Sequence, residues 1–316
     1  MLTPEGRPSV PCPTYPEIRL SLMPQRSITA TIDSYAPDAI HIATEGPLGM
    51  ATRRYCLRAG YPFTTSFHTK FPEYVEARWG LPARFGYAWL RHFHSAARAV
   101  MVATPTFKAE LEAHGFQRVS LWSRGVDLEV FGPGERTLPD APRPVLLYVG
   151  RVAIEKNLRA FLDLKTEGSK WVVGDGPQLA ELRAAYPKVN FVGKQSQHLA
   201  DYYRSADVFV FPSRTDTFGL VMIEAMACGT PVAAYPVAGP LDIVGGTAAG
   251  ALDDDLDSAV RRALSLSRAD ARARAEHFSW SNATAQFFRH LQVIGRSIDA
   301  TFHKRPDEGT QMVRRA

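Results

Sequence analysis

The sequence predicts an α/β protein of two successive doubly wound units, and three observations carry that expectation. At 316 residues the chain exceeds the ~150-residue prior for one domain. From Asp38 to about Tyr235, β-branched strand segments alternate with helical patterns. Between the two runs, LEVFGPGERTLPDAPRP, Leu128 to Pro144, is dense in proline, glycine and charge, as a connection between folding units is. This gives a first unit over residues 1–135, a second over 141–278, a helix over 279–300 capped by Ser279 or Ser281, and a polar, basic end over 301–316 that is expected to be disordered.

In the first unit DAIHIA, Asp38 to Ala43, reads as a strand. The turn after it, TEGPLG, has two glycines that can bring amides near a ligand, while Glu45 equally suits an acid at a helix start. FTTSFHTKF, Phe63 to Phe71, is a strand that delivers His68 at its end, although a lone loop histidine is more often structural. Between Met50 and Val100 the chain sets Arg53, Arg54, Arg58, Lys70, Arg78, Arg84, Arg91 and Arg98 against only Glu73 and Glu76, mixed with Tyr74, Trp79, Phe85, Trp89 and Phe93. Arg84, Arg91 and Arg98 recur every seven residues, so on a helix they share a face beside aromatic neighbours. Such a face suits either plain solvation or an anionic lipid surface.

In the second unit VLLYVGRVAIEKN, Val145 to Asn157, is a buried strand followed by Gly150, which lets the backbone turn close to a ligand, and by two cations, Arg151 and Lys156. Open parallel sheets bind ligands at the carboxyl ends of their strands, and a diphosphate leaving group needs positive charge there. VVGDGP around Gly174 and FVG around Val192 repeat the strand and glycine-turn pattern. In FPSRTDTFGLVMIEAMACGTPV, Phe211 to Val232, a strand enters a polar turn and then a short helix closed by Gly229 and Pro231. Its Leu, Ile and Met residues are core. Asp216 and Glu224 stand eight positions apart across the helix start, beside the amides of Phe218, Gly219 and Leu220. Those amides suit a diphosphate and the carboxylates suit the diols of a ribose or sugar ring. Glu224 in so apolar a helix requires a partner.

This constellation resembles glycosyltransferase family 4, retaining enzymes of the two-domain GT-B fold with a Glu-x7-Glu pair in an SxxExFGxxxxEAMACGxPV setting; here the first Glu is Asp216. The resemblance covers most of Asp38 to Val232 and implies hexosyl transfer from a UDP- or GDP-sugar, with no metal or other cofactor. It implies that Arg151 and Lys156 hold the donor diphosphate, that Asp216 contacts the sugar and Glu224 the ribose, and that Gly150, Gly174 and Val192 line the nucleotide. It also implies that His68 faces the donor sugar, that Glu45 and Gly46 line the cleft, and that the last helix crosses back to the first unit. Among donors it leans to GDP-mannose or a UDP-hexose, and among acceptors to a diacylglycerol-type lipid. Family members carry about forty to fifty residues, a βαβ unit, before the text that here begins at Met1, so the first unit is expected to be incomplete.

A net charge of +5, from 37 Lys plus Arg against 32 Asp plus Glu, does not suggest a nucleic-acid binder. Cys12, Cys56 and Cys228 are odd in number and far apart, which indicates neither disulfides nor zinc. DDDLD, Asp253 to Asp257, reads as an acidic helix start and not as a magnesium site. No apolar run approaches the ~18 residues of a spanning helix, so the expectation is a soluble or peripheral protein on the cytosolic side. Two other readings stay open at this point: a non-catalytic nucleotide-sugar-binding partner protein, and a hydrolase or epimerase on the same scaffold. A dinucleotide-dependent enzyme is disfavoured because no G-x-G-x-x-G follows any strand.

Overall fold

The computed structural model describes residues 1–12, 15–22, 25–138 and 141–295. The predicted continuation of the last helix beyond 295 and the tail from Thr301 lie outside the described residues.

The second half is organised around the strand Val145–Val149, whose five residues are all buried. Val145, Leu147 and Val149 enter one apolar core and Leu146 and Tyr148 the other, because successive side chains of a strand point to opposite faces. A strand covered on both faces belongs in a parallel sheet between helical layers. Six parallel strands form it, in the order Gly250–Leu252, Val232–Ala234, Val208–Phe211, Val145–Val149, Ser169–Val173, Asn190–Gly193. Winding reverses between Val145–Val149 and Val208–Phe211, which opens a crevice at their carboxyl ends.

The first half holds four parallel strands, His41–Ile42, Thr64–Ser66, Val100–Val102 and Val119–Leu121, lying side by side in chain order. Among the described residues this sheet has no reversal of winding, in contrast to the second. Its core is built from Ile28, Phe63, Phe67, Phe93, Phe107 and Leu111. An antiparallel hairpin, Ser9–Cys12 with Tyr15–Ser21, stands apart from the sheet.

Three sequence expectations need correction. The chain leaves the first half at Trp122–Gly125, ahead of the predicted connection: Val126 already bonds Phe278, and Leu128, Phe131 and Leu138 pack on the second core. Proline and glycine mark where the chain is irregular, not which core its apolar residues join. The last helix runs Trp280–His290, capped by Ser279, and does not continue as predicted. Residues 291–295 are not helical; Val293 bridges Ala39, the Ile294 amide bonds Asp38, and Ile294 enters the first core. Arg98 lies beyond the helix Ala83–His94, and the Arg91 guanidinium donates to the His114 carbonyl at 2.7 Å, so the seven-residue arginine repeat does not form one free face.

Candidate active site

The crevice is lined by strand ends laced to one another. Gly150 N–H donates to Val173 at 3.0 Å and Gly174 N–H to Gly193 at 2.9 Å, which puts Gly150, Gly174 and Val192 along one rim. Gly174 has φ +146°, and a Cβ there would sit 1.8 Å from the Gly150 carbonyl oxygen, so the two turns approach this closely only because Gly174 carries no side chain. Val192 lies on the edge strand, half-buried against the core. After Gly150 and the half-buried Arg151, a single turn, Ile154–Lys156, ends in Asn157 at φ 53°, whose amide donates to Pro212 at 3.2 Å. Thr215 bonds the Glu155 carbonyl at 3.3 Å. The two loops that flank the reversal are therefore tied directly to each other.

Charge collects at their junction. Lys156 Nζ meets Asp216 Oδ1 at 2.5 Å, with side chains 22% and 17% exposed. Asp216 Oδ2 is buried and has no hydrogen-bond partner among the described residues. A buried carboxylate oxygen left unmatched is costly, and such an atom at a cleft marks a place for a donor group. Phe218 follows, buried against Phe278; Gly219, at φ 94°, starts the helix Leu220–Ala227, and Leu220 is exposed. One turn in, Glu224 Oε2 accepts from the hydroxyl of fully buried Tyr203 at 2.8 Å. Burial raises the Glu224 pKa and the tyrosine bond works against that rise. The predicted residues Gly150, Arg151, Lys156, Asp216, Phe218, Gly219, Leu220 and Glu224 thus gather at the strand ends that border the reversal. Tyr203 escapes sequence reading because in DYYRSA it looks like a core aromatic; the signal is that a buried phenol needs a partner.

The opposite wall belongs to the first half. His68 lies at the end of its strand, but both imidazole nitrogens are engaged inward, Nε2 with Ser66 at 2.7 Å and Nδ1 with Arg124 at 2.8 Å. Ser66 also meets His41 Nε2 at 3.1 Å, and His41 Nδ1 meets Thr64 at 2.9 Å. Burial, then the Arg124 charge, lowers the His68 pKa to about 4, against a smaller rise from Glu45; burial, then His68 and Arg124, lowers that of His41 to about 4. Glu45 starts no helix hydrogen bond but pairs with buried His94 at 3.2 Å, and Gly46 caps the helix Pro47–Ala59. The walls touch where Thr217 donates to the His68 carbonyl at 2.7 Å, and again where Thr106 bonds Asp242 through its amide at 2.8 Å and its hydroxyl at 2.9 Å. Among the described residues no three His, Cys, Asp or Glu side chains cluster as metal ligands. Asp255 caps the helix Leu256–Ala263 and Asp257 bonds the Lys165 and Thr166 amides, so the acidic run serves loop structure. Burial pushes the Cys56 and Cys228 thiols up to about 12 and 11.

A crevice with a lysine, an unmatched acid and a second buried acid at a winding reversal can hold an anionic, hydroxyl-rich ligand. Residues 143–268 match the family described as Glycosyl transferases group 1, and residues 3–130 match Glycosyltransferase Family 4. The chain is 33% identical over 257 residues to the GDP-mannose-dependent alpha-mannosyltransferase of Mycolicibacterium smegmatis, covering 78% of this chain and 68% of that protein. It is 31% identical over 264 residues to the sulfoquinovosyl transferase SQD2 of Arabidopsis thaliana, covering 76% of this chain and 50% of that protein. The chain thus spans half to two thirds of the length of these relatives. In fold it is similar to the sucrose-phosphate synthase of Thermosynechococcus elongatus, with a TM-score of 0.71 at 23% identity over 91% of this chain and 85% of that one. Sequence, sheet order and crevice agree, and the chain belongs to the family 4, group 1 glycosyltransferases of the two-domain GT-B fold.

Proposed function

We propose that the chain moves a hexosyl group, mannose from GDP-mannose in the first instance, to a hydroxyl acceptor with retention at the anomeric carbon. The observation that carries this reading is the Lys156–Asp216 pair with its unmatched Oδ2, set at the winding reversal beside Glu224. Asp216 Oδ2 accepts a sugar hydroxyl, Glu224 accepts from the ribose, and Lys156 with Arg151 meets the diphosphate, whose charge grows as the anomeric C–O bond breaks. The acceptor oxygen enters on the face the diphosphate leaves, and its proton passes to the departing phosphate oxygen. The name of the mycobacterial relative supports GDP-mannose over a UDP-hexose. Thermal shift with GDP-mannose, UDP-glucose and ADP-glucose, followed by transfer of labelled mannose, tests it. A donor at 100 times its dissociation constant stabilises by about 2.7 kcal/mol. Stabilisation without transfer to any hydroxyl acceptor would leave only nucleotide-sugar binding, and turnover to free sugar would indicate a hydrolase.

The acceptor we propose is a lipid at the inner face of an anionic membrane. Supporting this are the exposed Trp79, Leu81, Phe85 and Trp89, on and next to the helix Ala83–His94, with Arg84 stacked over Phe85 at 5.0 Å. Aromatic rings beside arginines suit the headgroup boundary. Among the described residues no helix is long and apolar enough to cross a membrane. Co-sedimentation with phosphatidylglycerol vesicles but not phosphatidylcholine vesicles, weakened by salt and by F85S/W89S, is the expected result; equal failure with both vesicle types contradicts it.

A further inference from the structure

Arg124 is a residue that the sequence reading does not single out, and it stands at the junction of three parts of the molecule. Its Nη1 donates to the Trp122 carbonyl at 2.9 Å, and its guanidinium lies over the Trp122 ring at 4.1 Å, which fixes it to the segment where the chain leaves the first half. That segment is held in turn by the returning helix: Ser123 N–H donates to Gln286 at 2.8 Å, and Trp122 packs on Phe287 at 4.7 Å. Arg124 Nη2 donates to His68 Nδ1 at 2.8 Å. The third part is the charged wall, which the His68 carbonyl meets through Thr217, the neighbour of Asp216.

An arginine only donates hydrogen bonds, and this sets the direction of both bonds at the His68 ring. His68 Nδ1 must accept, so the proton of the neutral ring is on Nε2 and is given to Ser66 Oγ. The Ser66 hydroxyl, accepting from His68, has its own proton to give, and His41 Nε2 at 3.1 Å and the Ala43 carbonyl at 3.4 Å are both within its reach. Neither His68 nitrogen is left for the cleft, and the ring cannot rotate without breaking two bonds. What His68 offers the charged wall is its main-chain carbonyl.

We propose that Arg124 is a positioning residue that couples the interdomain crossing to the cleft, by locking the His68 ring and so holding the His68 carbonyl where Thr217 latches the two halves together. The relevance of this latch to sugar transfer rests on the function proposed above; the latch itself does not. Charged and titratable groups around His68 are Arg124 from the crossing, Glu45 and His94 from the first half, and His41 through Ser66.

Two measurements test it without any substrate. In ¹⁵N-histidine-labelled protein, His68 should be the Nε2–H tautomer and stay neutral at pH 6, and Arg124→Met should mix the tautomers and bring its titration up toward 6.5. With Cys12→Ser and spin labels on the exposed Leu57 and Lys188, Arg124→Met and Thr217→Val should each broaden the distance between halves, and the double variant should broaden it no further. With GDP-mannose as donor, each single variant should lower kcat/KM about 5- to 10-fold, as loss of one charge-assisted or neutral bond does, with GDP affinity within about 2-fold. The double variant should equal the worse single. Additive effects of Arg124→Met and Thr217→Val, or an unchanged His68 tautomer in Arg124→Met, would overturn the proposal. Absent transfer by the unaltered protein, with the label and tautomer results as expected, would sink the function reading and leave the latch standing.

Discussion

The two walls of the crevice solve opposite problems with similar side chains. On the second half, Lys156, Asp216 and Glu224 keep charge at the cleft, and one oxygen of Asp216 has no donor. On the first half, His41, Ser66, His68 and Arg124 turn toward each other and satisfy one another inside the wall. Residual hydrogen-bonding capacity is what a ligand uses, and full internal satisfaction is what makes a wall rigid. At the crevice, the contrast leaves unmatched hydrogen-bonding capacity on the second half and a polar cluster satisfied within itself on the first.

Removing the cation from the charged wall should break the comparison most severely. Lys156→Ala strips the diphosphate of its counter-charge, and single-turnover transfer should fall by about 100- to 1,000-fold with far-UV circular dichroism intact; turnover near that of the unaltered protein would end the assignment. The second test is of the neutral wall. Since the folded-state pKa of His41 and His68 is about 4 against 6.5 for a free ring, the unfolded chain binds more protons between those values. Their contribution is complete above pH 6.5 and is lost as pH falls toward 4, on the order of 3 kcal/mol per ring and less for two rings in one relay. Urea unfolding at pH 7.5 and 4.5 measures it, and His41→Asn should flatten part of the slope. Smaller in effect is Glu224→Gln, which keeps an acceptor for Tyr203 but loses the charge that strengthens a bond to a diol. GDP binding by calorimetry should weaken about 10-fold. The mildest change is Tyr203→Phe, which frees Glu224 to reorient and should cost about 1 kcal/mol, or roughly 5-fold in GDP affinity. If Tyr203→Phe exceeded Glu224→Gln, the phenol and not the carboxylate would be the group to study.

Much of the second wall was legible because its parts are local. Gly150, Arg151 and Lys156 sit within seven residues, and Asp216 to Glu224 within nine, so strand periodicity and turn chemistry alone bring each set to a strand end. That both sets meet was expected from the resemblance; the Lys156–Asp216 contact itself spans 60 positions. The first wall is less legible, because its contacts join residues far apart in the chain. The resemblance implies that His68 faces the donor sugar; what the sequence does not show is that its ring is held by Arg124, 56 positions on, and its carbonyl by Thr217, 149 positions on. The seven-residue spacing of Arg84, Arg91 and Arg98 was real, but a helix that stops at His94 cannot carry the third. Spacing gives a face only over the residues that are helical.

What the sequence determined by itself is the alternation of strands and helices, the buried parallel sheet, and the motifs that end its strands, because hydrophobic period and glycine chemistry act over a few residues. Tertiary structure alone decided where the chain passes between halves, which core each connecting residue joins, and how His68, Arg124 and Tyr203 are used. Those outcomes turn on which distant groups a polar atom can reach once buried, and an unmatched buried donor or acceptor costs as much as any local preference supplies.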